Sequence, residues 1–277
     1  MCEITTKKTQ RIQRLHKEEF KLDFWMDASD ELKEVVAEEH FVRLIEDDIY
    51  SVLPDTSVRH HYDNRVALYD SVVRTWLYNF VMWGTSPSDY VQFARQALDS
   101  SRDGMFLDAG CGSLLFTGCL YVDSNRRIVA FDQSLAMLRR ARERLRKLSG
   151  CVPDHIRLLQ ADLNDLPFRR KSFRTVLCLN VLHQFADARA LVSGLNELLS
   201  EGGNLYLTSL IANNRIIGDW YLEALYRTGE FVRPRSEREL RELFANAFYV
   251  EKGNMAFVHD GVATEGHPNA EYSTRDH

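Results

Sequence analysis

The chain has 277 residues, 45% hydrophobic and 27% charged, with a formal net charge of −5 from 35 basic and 40 acidic side chains. This is the profile of an ordinary globular protein, large enough for one α/β domain with an added helical segment or for two small domains. A net negative field gives no general attraction for phosphate backbones, which argues against nucleic acid as a partner, and no apolar run approaches the ~20 residues that span a bilayer.

Residues 1–20 are polar and basic and lack the apolar core of a signal peptide, so a cytoplasmic protein is expected. The five cysteines, Cys2, Cys111, Cys119, Cys151 and Cys178, show no Cys-x-x-Cys pair and no histidine at metal-ligand spacing. Reduced thiols are expected, with no disulfide framework and no metal site.

From Leu22 to Tyr50 the apolar residues Leu32, Val35, Val36, Phe41, Leu44, Ile45 and Ile49 keep a helical spacing that Pro54 breaks. A second helical stretch, His61 to Trp83, is rich in aromatics: Tyr62, Tyr69, Trp76, Tyr78, Phe80 and Trp83. Ser86-Pro87-Ser88-Asp89 then reads as a helix start, with a cap, a first-turn proline and an early acid.

From residue 104 short apolar runs alternate with amphipathic helices, the pattern of a parallel sheet built from βαβ units. Strands are predicted at Met105–Asp108, Ile128–Asp132, Ile156–Ala161, Thr175–Asn180 and Asn204–Ser209. Helices are predicted at Leu115–Val122, Leu135–Leu148 and Ala188–Ser200. Gly202-Gly203 reads as the turn into the fifth strand. Ser236-x-x-Glu239 is a capping box for a helix through Phe244, and Phe248–Val258 reads as a hairpin turning near Gly253-Asn254. The polar tail from Asp260 is expected to be disordered. The basic helix Leu135–Leu148, with Arg139, Arg140, Arg142, Arg144, Arg146 and Lys147, reads as a solvated outer face.

The segment Phe106 to Leu114, Phe-Leu-Asp-Ala-Gly-Cys-Gly-Ser-Leu, is a strand ending in Asp108 and followed by a glycine-rich turn. In a parallel sheet, ligands bind outside the carboxyl ends of the strands where strand order reverses, and glycines there admit positive φ and close backbone approach. A dinucleotide site wants a third glycine where Leu115 stands, and the loop has no basic residue, so it is not built for pyrophosphate. The next strand ends in Asp132, a carboxylate that suits both ribose hydroxyls. The third runs into Asp162, suited to an adenine amine, and the fourth into Asn180-Val181-Leu182-His183. Acids at three successive strand ends suit a neutral nucleoside with a cationic amino-acid tail.

These residues, with Asn-Val-Leu-His-Gln-Phe after the fourth strand and Leu-Leu-Ser-Glu-Gly-Gly-Asn-Leu-Tyr-Leu into the fifth, resemble the class I S-adenosylmethionine-dependent methyltransferases, especially the ubiquinone/menaquinone-methyltransferase-like (type 11) group. The resemblance runs from Tyr62 to His259. It implies a Rossmann-like, doubly wound seven-stranded sheet with a terminal β-hairpin and an N-terminal helical lid. The implied organisation is a helical segment and lid over 1–100, the cofactor domain over 101–259 with a substrate-cap insertion at 211–235, and a tail over 260–277. It implies S-adenosyl-L-methionine as cofactor, with Asp108, Gly110 and Gly112 at its methionine end and Asp132 with Gln133 at the ribose. Asp162 and Leu163 would hold the adenine, Asn180 would lie beside the methyl donor, and Tyr62 in the lid would reach the cofactor carboxylate. The family loop usually has a third glycine where this chain has Leu114, so that side chain is expected to crowd the cofactor or tilt the following helix.

His183 is the candidate general base, facing the methyl group. His60 and His61 read as a solvated turn. Tyr69 and Trp83 in the lid, and Trp220 and Tyr221 in the insertion, are expected to line the acceptor pocket, which makes the acceptor a small, partly apolar molecule. No Asn/Asp-Pro-Pro-Tyr follows the fourth strand, which argues against methylation of nucleic-acid adenine. A protein or RNA methyltransferase would want an open, charged cleft. A non-catalytic cofactor-binding protein has Leu114 as its one supporting feature, and Leu115 disfavours an NAD-dependent oxidoreductase.

Overall fold

The computed structural model describes residues 30–54 and 75–261, apart from 102, 214, 230, 231, 233, 245 and 246. The expected lid residues Tyr62 and Tyr69, His60 and His61, and residues 262–277 lie outside the described residues; Asp260 and Gly261, expected in a disordered tail, are instead the end of the last strand, paired with Leu205 and Asn204.

Nine strands form one sheet: β1 Arg43–Glu46, β2 Ile49–Ser51, β3 Met105–Ala109, β4 Ile128–Asp132, β5 Ile156–Gln160, β6 Phe173–Cys178, β7 Leu199–Leu210, β8 Phe248–Lys252 and β9 Met255–Gly261. Their order is β1-β2-β5-β4-β3-β6-β7-β9-β8. From β2 to β7 every neighbour is parallel, and the two ends are closed by antiparallel hairpins. The chain winds outward from β3 through β4 to β5, then returns to β6 on the other side of β3. That reversal opens a crevice at the carboxyl ends of the central strands.

The helices are α1 Asp30–Val35, α2 Trp76–Tyr78 running into a π-turn at Asn79–Trp83, α3 Pro87–Asp99, α4 Gly118–Val122, α5 Leu135–Ser149, α6 Ala188–Glu197, α7 Ile216–Arg227 and α8 Glu237–Arg241. They cover both faces of the sheet, as its near-continuous apolar strands require. Alternate residues of each strand serve opposite faces. Leu107, Val129, Leu159 and Val176 pack with Leu32 and Val35 of α1 and Leu191 and Leu195 of α6. Phe106, Ala130, Leu158 and Leu177 pack with Tyr90 and Phe93 of α3, Tyr121 of α4, and Leu138 and Leu145 of α5. Helix α3 starts as expected, with Ser86 and Asp89 closing a capping box.

The helix expected over Leu22–Tyr50 is corrected. Within the described part only Asp30–Val35 is helical, and Arg43–Ser51 is a hairpin turning at Asp47-Asp48. Ile49 and Tyr50 are extended because they pair with Leu158 and Leu159 of β5, a tertiary contact that overrides their helical spacing. This hairpin adds the two strands beyond the expected seven. It also occupies part of the basic face of α5. Arg139 and Arg142 meet Glu46, and Arg146 meets Asp48 at 2.6 Å. The Arg139 hydrogen bond holds Glu46 below its ordinary carboxylate range. Each of these partly exposed pairs contributes ~1 kcal/mol, and together they dock the turn on the helix.

Two smaller expectations also change. Helix α4 begins at Gly118 rather than Leu115; residues 115–117 form a turn that follows Leu114 at φ +55°. Gly202-Gly203 lie within β7, in a bulge where its pairing with β6 slips between Phe173–Leu199 and Thr175–Asn204. Among the described residues no helix is long and apolar enough to cross a membrane.

Candidate active site

A cleft of about 290 Å³ opens at the carboxyl ends of β3, β4 and β6. Its floor is the loop after β3. Gly110 and Cys111 both donate their N–H groups to the Phe131 carbonyl at 2.9 Å, which folds the loop back over β4. Gly110 has φ +74° and Gly112 φ +54°, conformations for which glycine is the natural residue. A Cβ on Gly110 would come within 2.6 Å of Val181 Cγ2, whereas one on Gly112 would meet no protein atom within 4 Å. Gly112 therefore presents bare backbone to the cleft.

Asp132, at the end of β4, joins two segments. One oxygen accepts from the Gly112 N–H at 2.9 Å and the other from the Ser134 N–H at 2.8 Å. Asp162 accepts from Gln133 Nε2 at 3.1 Å and from the Asn164 backbone and side-chain amides, each at 2.9 Å. Gln160 donates to the Gln133 carbonyl at 3.0 Å and accepts from Ser51 Oγ at 3.1 Å, so the N-terminal hairpin braces this rim. On the opposite wall Asn180 has φ +57°, which asparagine tolerates better than most residues. Its N–H donates to Thr208 Oγ1 at 2.8 Å, and that hydroxyl donates back to Asn180 Oδ1 at 2.9 Å.

Asp108 is 2% exposed. Tyr121 donates its hydroxyl to Asp108 Oδ2 at 2.7 Å. Burial first, and the Asp132 charge second, push the Asp108 carboxyl up to about 7, while Tyr121 and Thr117 pull it down.

Asp108, Gly110, Gly112, Asp132, Gln133, Asp162, Leu163 and Asn180 are thus brought together around one cleft. Leu115, Phe116, Met137, Leu179 and Phe185 add an apolar band that the sequence reading missed. Phe116 has a traceable cause, since it stacks on Tyr90 of α3 at 4.7 Å, but that contact is far apart in sequence.

Other expected residues sit elsewhere. His183 is buried outside the lining, and its Nδ1 accepts from the Leu210 N–H at 3.4 Å. Burial and the Arg235 charge push it down to about 3, so it is a neutral packed imidazole. Its place in the short 3₁₀ turn Leu182–Gln184 points it into the protein instead of toward the cleft. Trp83 is buried against Tyr78 and Tyr221, with ring centroids at 6.3 and 5.4 Å. Trp220 is 70% exposed. None of Trp83, Trp220 and Tyr221 lines this cleft.

Leu114 does not crowd the cleft. Its side chain is fully buried in the core with Phe106, Tyr121 and Leu138. Leu114→Gly should relieve a positive-φ strain of ~1 kcal/mol but lose burial worth ~2–5 kcal/mol. The expected result is net destabilisation of ~2 kcal/mol in urea unfolding, with ligand affinity in the cleft unchanged. A variant as stable as the parent would place that side chain outside the core.

Comparison with known proteins agrees with this architecture. The family model for a methyltransferase domain matches residues 107–207. A demethylmenaquinone methyltransferase of Porphyromonas gingivalis is 29% identical over 101 residues, 36% of this chain and 40% of that protein. An uncharacterized methyltransferase of Mycobacterium tuberculosis is 29% identical over 136 residues, 48% of this chain and 64% of its own length. The matched region therefore spans about two fifths to two thirds of these relatives. Among solved structures, a SAM-dependent methyltransferase of Thermotoga maritima shares the fold with a TM-score of 0.52 at 15% identity, over 74% of this chain and 99% of that one. A chain from the complex of the Haloferax volcanii Trm112 methyltransferase activator with a methyltransferase gives 0.54 at 19%, over 76% and 100%. The glycine loop, both acidic strand ends and the wall beside them all lie within the span that matches the methyltransferase-domain family model, which supports a class I methyltransferase of the type 11 group.

Proposed function

We propose that this protein is an S-adenosylmethionine-dependent methyltransferase that acts on a small, partly apolar acceptor. The observation that carries the reading is the open backbone of Gly112, which lines one cleft with the Asp132 and Asp162 carboxylates and an apolar band. Among the described residues no Lys, Arg or His lines the cleft. That composition suits a neutral nucleoside with a cationic tail and disfavours pyrophosphate.

Asp132 and Gln133 would hold the ribose, Asp162 and Leu163 the adenine, and Asp108 and the 110–112 backbone the amino-acid end. The bound cofactor supplies an electrophilic methyl group on a sulfonium. The chain's own part is to orient the acceptor and exclude water. Asn180, locked by Thr208, gives the acceptor side a rigid polar point, and Phe116, Leu179 and Phe185 supply apolar walls. His183 is assigned no proton transfer. The 211–235 insertion would act as the acceptor-side cap, and it is closed at its base by the Ala212 N–H donating to the Arg235 carbonyl at 2.9 Å.

Calorimetry with S-adenosylhomocysteine tests the cofactor. Binding is expected in the wild type, with at least a tenfold loss in Asp132→Ala. No binding by the wild type would sink the reading. Transfer of labelled methyl to extracted small molecules, and not to protein or RNA, tests the acceptor class.

A further inference from the structure

Of the three acids in the cleft, Asp108 alone is buried, and it is held from behind. Tyr121 of α4 donates to Oδ2 at 2.7 Å, and Thr117, just before that helix, approaches the same oxygen at 3.5 Å. Tyr121 is itself fully buried and edge-on to Phe106 at 5.7 Å, so its ring has no room to swing. Both hydroxyls address Oδ2, which leaves Oδ1 as the oxygen they do not claim.

We infer that Tyr121, which does not line the cleft, is a positioning residue that orients the Asp108 carboxyl and holds it ionised for the ammonium group of the cofactor's amino-acid end. This rests on the cofactor reading above. The groups facing Asp108 are Tyr121 and Thr117 from the α4 side, Cys111 in the loop, Asp132 at the end of β4, and Cys178 at the end of β6. Burial raises both thiols and the Tyr121 phenol far above neutrality, so they stay protonated. The Asp132 charge opposes ionisation of Asp108, and the two hydroxyls favour it. With its carboxyl at about 7, Asp108 is, among these facing groups, the one pushed toward neutral pH. A cationic ligand binds the ionised form, so affinity should rise with pH through that value, with proton release below it.

The test is calorimetry of S-adenosylhomocysteine with the full chain from about pH 5.5 to 8.5, in buffers of differing ionisation enthalpy. Wild-type affinity should rise about tenfold between about pH 6 and 8. Tyr121→Phe keeps the ring and removes the donor. It should move the midpoint up by about one pH unit, weaken binding about fivefold at pH 7, and approach wild type by about pH 8.5. Thr117→Val should shift the midpoint less, in the same direction, and decides the matter if Tyr121→Phe fails to fold. An unchanged midpoint, or a loss equal at every pH, overturns the inference. A wild type that binds at no pH overturns the cofactor reading instead.

Discussion

Gly112→Ala should leave the fold nearly intact and reduce S-adenosylhomocysteine affinity about 100-fold, or about 2.7 kcal/mol. The methyl group would meet no protein atom within 4 Å, so the fold bears only the strain of a non-glycine residue at φ +54°, ~1 kcal/mol and a few degrees of Tm. The space it enters belongs to the cleft, where close backbone approach is the reason for a glycine. Gly110→Ala gives the contrast. There the methyl group would strike Val181 Cγ2 at 2.6 Å and crowd Leu163 at 3.3 Å, so stability should fall further and binding should fall with it. Thermal melts and calorimetry on both variants separate the cases. Wild-type affinity in Gly112→Ala would show that no ligand approaches that backbone.

Arg235→Met should destabilise the protein by ~2 kcal/mol in urea unfolding. Arg235 is 9% exposed and its guanidinium serves three carbonyls of the cleft wall. Nη1 donates to Leu182 at 3.1 Å, and Nη2 donates to Phe185 and to Ala186, the latter at 3.1 Å. Methionine keeps the apolar stem but removes the charged donor: the Leu182 carbonyl then keeps only the Phe185 N–H at 3.2 Å, and the half-buried Phe185 carbonyl loses its guanidinium bond. Gln184 and Phe185, which line the cleft, lie within the clamped segment, so weaker cofactor binding should accompany the loss. A ΔΔG under ~1 kcal/mol would mean that water replaces the guanidinium.

The parallel-sheet half of the chain was legible because its signals are local. Met105–Asp108, Ile128–Asp132 and Ile156–Ala161 are short runs that alternate with amphipathic helices and so read as strands, and Asp108, Asp132 and Asp162 follow from where those strands stop. Ser86 and Ser236 cap their helices through bonds to residues three positions away. The sequence also marked Leu114 as the odd residue of its loop.

Tertiary structure decided what depends on distant partners. Residues 43–51 have helical spacing, yet they are strands because β5 offers an open edge and α5 offers arginines to the Asp47-Asp48 turn. His183 lies beside the expected methyl site in sequence, but one short 3₁₀ turn rotates it into the core, where burial and Arg235 keep it neutral. Tyr121 and Arg235 carry no motif at all, and their roles exist only because folding brings a phenol to Asp108 and a guanidinium to three carbonyls. Leu114 shows both levels. The sequence located the unusual backbone, and only the packing against Phe106 and Leu138 settled that its side chain turns away from the cleft.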